Sequence, residues 1–205
     1  TAGDASISRW VMNSQSSLVS ARLDAEKKLR TLAEGLPEGV VRYMESQRGF
    51  GALSLAAIIG ETGDLGKYSN PAKLWKRMGV AVIGGEHQQR KTGAAGIEHG
   101  YSPTRRSLLW TIGDSIIKGN GELRRIYDDR KAYETEKNER GDYADQAAKA
   151  LKEKIYKKST TAFKCYSAGK LPPAHIHARA KRFMEKRLIR ELWRAWRGAP
   201  GAALP

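Results

Sequence analysis

Apolar residues recur at helical spacing along most of this chain, and this periodicity restricts the fold more than any other feature. Leucines and alanines three or four residues apart predict a first helix from Ser8 to Leu36, ended by Gly35 and Pro37. Similar spacing is present at residues 37–47, 52–60, 71–78, 107–117, 123–158 and 174–196. The pattern predicts a mainly α-helical protein.

Four parts are expected along the chain. Residues 1–36 form an amphipathic, coiled-coil-like helix through which the protein can oligomerise. Residues 37–130 form a core that contains a helix-hairpin-helix-like turn. Residues 131–173 form a charged helical arm, because acidic and basic residues alternate there, and residues 174–197 form a basic helix that packs on the core.

The segment Arg48-Gly49-Phe50-Gly51 lies between two helical patterns and predicts a tight turn. Glycines let a backbone approach another surface, and the next helix begins with unpaired N–H groups that can bind a phosphate. Arg48, Gly49, Phe50 and Gly51 are therefore candidate DNA contacts. An ordinary pair of helices packed into the core explains the same residues equally well.

Residues 80–107 are rich in glycine and lack a helical repeat. Val80 to Ile83 could form a short strand, with Gly93 to Ile97 returning as its partner in a β-hairpin. The basic residues of this loop are Arg90, Lys91, Arg105 and Arg106. A flexible basic loop of this length inside a compact domain is usually functional or disordered.

Positive charge is concentrated toward the end of the chain. The whole sequence has 37 Lys and Arg against 22 Asp and Glu, and residues 151–205 alone have 14 against 3. An excess of this size attracts a polyanion. We therefore favour nucleic acid as the partner over a merely solvated basic surface, and over an anionic membrane. The basic row on the last helix contains Arg179, Arg182, Lys186 and Arg190.

Several classes of protein are excluded by composition. Cys165 is the single cysteine, which excludes a disulfide scaffold and a Cys-rich zinc module. His175 and His177 are two residues apart on a helix and point to different faces, so no metal site is expected. No apolar run is long enough to span a membrane, and the polar start lacks a signal peptide. We expect a cytoplasmic protein.

The segment from Gly49 to Leu65 reads Gly-Phe-Gly-Ala-Leu-Ser-Leu-Ala-Ala-Ile-Ile-Gly-Glu-Thr-Gly-Asp-Leu. It resembles the hairpin region of the bridge-RNA-guided insertion-sequence transposases, which join a RuvC-like DEDD domain to a serine-bearing C-terminal domain. Tyr68–Leu74 and Met78–Val80 resemble the next stretch of that C-terminal domain. Tyr101–Ile117 resembles its basic helix, and Ala174–Trp196 resembles its closing helix. The resemblance implies a C-terminal transposase domain that acts in DNA transposition by site-specific recombination, with double-stranded DNA and a guide RNA as partners.

Two features depart from the family pattern. The RuvC-like half, whose four carboxylates hold metal, is not among these residues, so Mg²⁺ is expected only in that half and no cofactor is expected here. Where the family has Ser-Ser-Gly with the nucleophilic serine, this chain has Lys91-Thr92-Gly93, and the nearest serine is Ser102.

The resemblance makes Thr92 and Ser102 candidate nucleophiles for strand cleavage and transfer, with the loop cations stabilising the transition state. A basic loop with two bystander hydroxyl groups remains an open alternative. A non-catalytic nucleic-acid-binding module and a helical interaction protein are the alternative functions.

Overall fold

The computed structural model describes the backbone of residues 2–198 and the side chains of residues 6–198. Helices make up 74% of it and strands 2%, which confirms the prediction of a mainly α-helical fold. The first helices are α1 (Ala2–Glu34), α2 (Glu38–Ser46), α3 (Ala52–Thr62), α4 (Pro71–Arg77) and α5 (Gly93–His99). The later helices are α6 (Pro103–Gly119), α7 (Glu122–Glu139), α8 (Ala144–Glu153), α9 (Thr161–Ser167) and α10 (Pro173–Trp196). A 3₁₀ turn, Leu65–Lys67, lies between α3 and α4.

The core is built around α10, which lies along α7 and also contacts α2, α4 and α6. Apolar residues repeat every three or four positions in α10, so one side of the helix can be buried. Ala180, Met184, Leu188 and Leu192 on that side are fully buried. Burial of each large aliphatic side chain stabilises the fold by roughly 2 kcal/mol.

The starts of α4 and α6 follow from local sequence. The Asn70 side chain accepts a hydrogen bond from the backbone N–H of Lys73 at 3.1 Å, and Ser102 caps α6 in the same way. Pro71 and Pro103 follow these caps. A proline is well suited to the first helical position, because its missing N–H has no partner there in any case.

A buried charged cluster joins α10 to α6. Lys181 and Glu185 are both 0% exposed, and the Lys181 ammonium group forms an ion pair with Asp114. The same ammonium lies 3.6 Å from the ring centre of Trp110. Gly113 makes room for these groups, because a Cβ atom there would lie 2.7 Å from Cε of Lys181.

The charged segment folds back on the protein instead of projecting from residue 131. The helix predicted over residues 123–158, with a break near Gly141, is divided into α7 and α8 by a turn in which Gly141 has a φ of +86°. In α7, Glu134 and Asn138 are buried. The Asn138 side chain exchanges hydrogen bonds of 3.0 and 2.7 Å with the backbone of Leu171, ahead of α10. Most of residues 131–139 are exposed, and the buried side of this segment bears Glu134 and Asn138.

The glycine-rich loop contains a β-hairpin with a different partner from the one expected. Strand β1 (Val82–Ile83) pairs antiparallel with β2 (Glu86–His87) across a Gly-Gly turn. Both turn glycines have positive φ, which is the backbone conformation that the shortest hairpins require. The prediction that Gly93–Ile97 returns as a strand is wrong, because those residues begin α5.

The buried side chain of Gln88 fastens this loop to the protein. Its amide donates hydrogen bonds to the carbonyl oxygens of Lys76 and His99, at 2.8 and 2.6 Å. Its carbonyl oxygen accepts one from the N–H of Ala81 at 3.2 Å. These bonds connect the hairpin to the ends of α4 and α5, so the loop has a defined conformation.

Helix α1 contacts α3 near its C-terminal end, where Ala33 is 2% exposed. It begins at residue 2 and ends at residue 34, earlier at both ends than the predicted Ser8–Leu36. Most of its large apolar side chains are exposed to solvent. They are Ile7, Trp10, Val11, Met12, Leu18, Val19, Leu23, Leu29 and Leu32.

Candidate nucleic-acid interface

The turn between α2 and α3 packs against the body of the protein. Gly49 has a φ of +80°, and a Cβ atom there would lie 2.3 Å from the carbonyl oxygen of Ser115 in α6. Phe50 is 2% exposed and belongs to the main core. The prediction that Phe50 contacts DNA is therefore wrong, and the missing Cβ of Gly49 serves contact with α6. Arg48 and Gly51 are exposed at this turn.

Thr92 and Ser102 lie at the starts of two successive helices, α5 and α6. Thr92 is exposed, and its side chain makes no capping hydrogen bond. The Ser102 hydroxyl is half-buried and accepts a hydrogen bond from the Arg105 N–H at 3.4 Å. Ser102 thus has a structural role at the helix start, whereas the Thr92 hydroxyl faces solvent.

Three of the four basic residues expected to support these hydroxyls are paired with carboxylates. The pairs are Arg105 with Glu61 at 3.0 Å, Arg106 with Glu185 at 3.0 Å and Lys91 with Glu86 at 2.5 Å. A carboxylate at such a distance offsets the charge that a phosphate would otherwise meet. Arg105 and Arg106 are thus engaged with carboxylates of the protein, and their expected use in catalysis stays a prediction. Arg90 is exposed and forms no ion pair with a described side chain.

The basic row on α10 separates into paired and unpaired residues. Arg190 lies 2.6 Å from Glu191, and Arg179 lies 2.7 Å from Glu134. Arg182 and Lys186 are half-buried, and neither forms an ion pair with any acidic side chain in the described part of the chain. These two are four residues apart, so they lie on the same face of α10.

Arg182 and Lys186 open into a cavity of about 130 Å³, which we call the basic pocket. Strand β2 and helices α7 and α10 form its walls. The lining residues are His87, Arg130, Glu134, Arg179, Arg182, Phe183 and Lys186. Sequence reasoning placed Arg179, Arg182 and Lys186 together on one helix, and the structure adds the facing residues.

Fixed contacts hold the cations of the basic pocket in place. Arg182 donates a hydrogen bond from Nη1 to Nε2 of His87 at 3.2 Å. The Lys186 ammonium lies 5.2 Å from the ring centre of Trp75, whose indole N–H donates to the Lys186 carbonyl at 3.0 Å. The guanidinium of Arg130 lies 4.7 Å from the ring centre of Phe183. Cation–π contacts of this kind hold a cation in place without neutralising its charge.

Glu134 is the acidic member of the basic pocket, and its oxygens are already engaged. It pairs with Arg130 at 2.6 Å and with Arg179 at 2.7 Å, and it also accepts a hydrogen bond from the Tyr143 hydroxyl. These donors lower the pKa of Glu134 although burial raises it, so the carboxylate stays ionised at neutral pH. One negative charge therefore faces four cationic side chains.

The ionisation of nearby groups reflects this excess of positive charge. Burial, followed by the charges of Arg182 and Arg179, lowers the pKa of His87 to about 4. Burial and the same two guanidiniums lower the pKa of His175. Burial and Arg182 also lower the pKa of Lys186. Like charges in a partly desolvated site disfavour one another, so at pH 7 the His87 imidazole is neutral.

Sequence reasoning missed His87, Arg130, Glu134 and Phe183 as members of the pocket. Arg130 and Glu134 are separated by four residues, a spacing that predicts an ion pair along a helix. Their position opposite α10 has no local signal, because it depends on how α7 packs. His87 likewise reaches the pocket only because the β-hairpin closes at Gly84-Gly85.

The fold and the pocket together define a mainly α-helical protein with a cation-lined cavity. No protein-family model, curated protein or solved structure matches this chain. None of the described helices is both long enough and apolar enough to cross a membrane. Within the described residues, no three His, Cys, Asp or Glu side chains are grouped as ligands for a metal ion.

Proposed function

We propose that this chain is a double-stranded-DNA-binding domain whose interface is formed by α10, the basic pocket and the loop between α8 and α9. The observation that carries the proposal is the number of cations without acidic partners in the last part of the chain. They are Lys152, Lys154, Lys157, Lys158, Lys164, Arg182, Lys186 and Arg187, none of which forms an ion pair with a described side chain. Such cations release counterions when they meet phosphates.

The position of α8 supports a continuous basic surface. Arg179 of α10 donates to the side chain of Gln146 in α8 at 3.5 Å. The charge of Lys149 in α8 contributes to lowering the pKa of Glu86 in β2, after the larger effect of Lys91. Helix α8 therefore lies beside the β-hairpin and the basic pocket, and we include the lysines of the loop that follows it in the proposed interface.

A fluorescence-anisotropy titration with duplex DNA at several salt concentrations tests this function. We expect affinity to fall steeply with salt, with a slope of about 0.9 per neutralised phosphate in log–log form. The triple variant Lys154→Gln, Lys157→Gln, Lys158→Gln should bind more weakly and reduce that slope by about 2 to 3. Absence of binding by the unaltered chain at low salt would remove the DNA-binding proposal.

The matched control removes the same charge from another element. Lys27→Gln, Lys28→Gln and Arg30→Gln on exposed positions of α1 lower the net charge equally. We expect this control to retain the salt slope of the unaltered protein. Equal weakening by both triple variants would mean that net charge alone attracts DNA, without the interface named here.

The resemblance to the insertion-sequence transposases extends the proposal to DNA transposition by site-specific recombination, with a guide RNA as a further partner. In that setting the hydroxyl of Thr92 or Ser102 would attack a DNA phosphate and form a phosphodiester bond to the protein. The P–O bond to one deoxyribose would break, and that sugar oxygen would leave as a hydroxyl with the proton that the attacking group loses. The RuvC-like half would supply the metal. Thr92→Val removes the hydroxyl and keeps the shape of the side chain. Ser102→Asn removes the other hydroxyl and keeps a residue that caps a helix well. Unchanged cleavage of a transposon end by the double variant, with the RuvC-like half supplied, would contradict this role and leave a non-catalytic DNA-binding module.

A second candidate function is self-association through α1. Ile7, Val11, Leu18 and Leu32 lie on one exposed stripe at successive spacings of four, seven and fourteen residues, which match a heptad repeat. Residues 1–21 contain one acidic and one basic residue, in a chain whose net charge is +15. Two copies can therefore approach along this segment without strong repulsion, and a second copy is the occupant that we propose. Light scattering gives the mass in solution.

A further inference from the structure

The basic pocket holds more positive charge than its own acid can offset. Glu134 is shared by Arg130, Arg179 and the Tyr143 hydroxyl, and among the described residues Arg182 and Lys186 form no ion pair with a carboxylate. Holding two such cations half-buried and four residues apart costs free energy through desolvation and mutual repulsion. An external anion in the pocket would offset that cost.

The donors of the pocket suit an oxyanion with several oxygens. The Arg182 guanidinium has five N–H donors and donates one of them to Nε2 of His87. The other N–H groups remain available to bind an anion. Because His87 is neutral and accepts there, its ring proton lies on Nδ1. Lys186 adds a point charge from the next turn of the same helix. Arginine matches two oxygens of a phosphate at once, and lysine neutralises the remaining charge.

The pocket is large enough for a phosphate. Its volume of about 130 Å³ is several times the roughly 10 to 15 Å³ that one bound water needs on the same measure. The pocket therefore accommodates a group with the dimensions of a single phosphate.

We propose that the basic pocket is a binding site for one phosphate group, contacted by Arg182 and Lys186, and that a backbone phosphate of DNA is its source. The identity of the source rests on the proposed function, whereas the phosphate site itself does not. Arg130 and Arg179 also line the pocket, and Glu134 holds both at its wall. The pocket thereby fixes the register of a DNA strand on α10 without reading its sequence.

Inorganic phosphate alone tests the site. We would titrate it into the full chain at pH 7 and constant ionic strength, and follow the imidazole signals of His87 by NMR, with sodium chloride as the parallel titrant. We expect a saturable shift with phosphate and none with chloride. The double variant Arg182→Gln, Lys186→Gln should bind phosphate at least tenfold more weakly, about 1.4 kcal/mol. The phosphate site would be contradicted if this variant bound phosphate as tightly as the unaltered chain. It would also be contradicted if phosphate caused no saturable shift of the His87 signals in the unaltered chain.

The control is Lys27→Gln, Lys28→Gln on exposed positions of α1, which removes the same charge outside the pocket and the proposed interface and should retain phosphate binding. Thermal unfolding of both variants verifies that they are folded, and Arg182→Lys supplies a charge-conserving variant that loses the two-oxygen contact.

A competition experiment with duplex DNA then identifies the source of the phosphate. DNA that displaces inorganic phosphate, as followed by the His87 signal, supports the whole proposal. If the chain binds phosphate but not DNA, the phosphate site stands, and both the proposal that DNA supplies the phosphate and the proposed function are contradicted. DNA binding that leaves phosphate in the pocket overturns the DNA source alone.

Discussion

The guanidinium of Arg106 lies 3.0 Å from the carboxylate of Glu185, and the two buried groups are not aligned for a hydrogen bond. Glu185 is 0% exposed, so its charge is desolvated without full compensation. Burial raises the pKa of Glu185 to about 7, against the opposing effect of Arg106. The carboxyl group is thus half-protonated near neutral pH at the junction of α6 and α10.

This pKa predicts a pH-dependent stability. Between about pH 4.5 and 7 the folded chain holds a proton at Glu185 that the unfolded chain has released, so this group destabilises the fold increasingly as the pH rises. Glu185→Gln removes the effect. Relative to the unaltered protein, the variant should gain up to about 3 kcal/mol between pH 4.5 and 8 in urea unfolding, at about 1.4 kcal/mol for each pKa unit. A constant difference across this range would contradict the buried, protonated carboxyl; exposed Glu136→Gln is the control.

The turn between α2 and α3 supplies a matched pair of glycine substitutions. Gly49→Ala combines a positive φ with a clash against the Ser115 carbonyl and should destabilise the protein by about 2 kcal/mol or more. Gly51→Ala should change stability by less than about 1 kcal/mol, because its φ is −100° and no atom lies within 4 Å of the added Cβ. Chemical denaturation measures both. Similar effects at the two positions would contradict the packing of Gly49 on α6.

Removal of the side-chain hydroxyl should have different effects on stability at Tyr43 and at Tyr127. The Tyr43 hydroxyl has no hydrogen-bond partner among the described groups, and burial raises its pKa. Tyr43→Phe should therefore leave stability unchanged or raise it by about 1 kcal/mol. The Tyr127 hydroxyl bonds Nδ1 of His177 at 2.7 Å, so Tyr127→Phe should lower stability by about 1 kcal/mol. Thermal unfolding compares them, and an equal loss in both would show that Tyr43 has a partner.

Self-association through α1 predicts a change of mass on substitution of its exposed stripe. Val11→Glu with Leu18→Glu places charges on both sides of the contact, and should convert a dimer to a monomer in light scattering with little change in monomer stability, because both side chains are exposed. Arg9→Glu with Ser16→Glu adds acidic residues to α1 away from the stripe and should retain the dimer. A monomer at every concentration in the unaltered chain would contradict self-association.

The residues of the candidate interface could be predicted in part. The basic row of α10 was recognisable because Arg179, Arg182 and Lys186 repeat at helical spacing, and the caps of α4 and α6 because Asn-Pro and Ser-Pro are local signals. The sequence could not show whether Gly49 and Phe50 contact DNA or belong to the core, because a glycine allows a phosphate and a neighbouring helix to approach equally closely. The predicted strand partner of β1, Gly93–Ile97, was wrong because Gly84-Gly85 forms a tight turn that pairs β1 with the residues directly after it.

The sequence by itself determined the helices and the uneven distribution of charge, because both depend on residue type and on neighbours within about one helical turn. The tertiary structure decided which cations are available to a partner. Arg179 is neutralised by Glu134, 45 residues away, and Arg106 is held by Glu185 on another helix. Arg182 and Lys186, on the same helix as Arg179, form no ion pair with any acidic side chain that the structure describes. Pairing across helices depends on how α6, α7 and α10 pack, and no spacing along the chain records it.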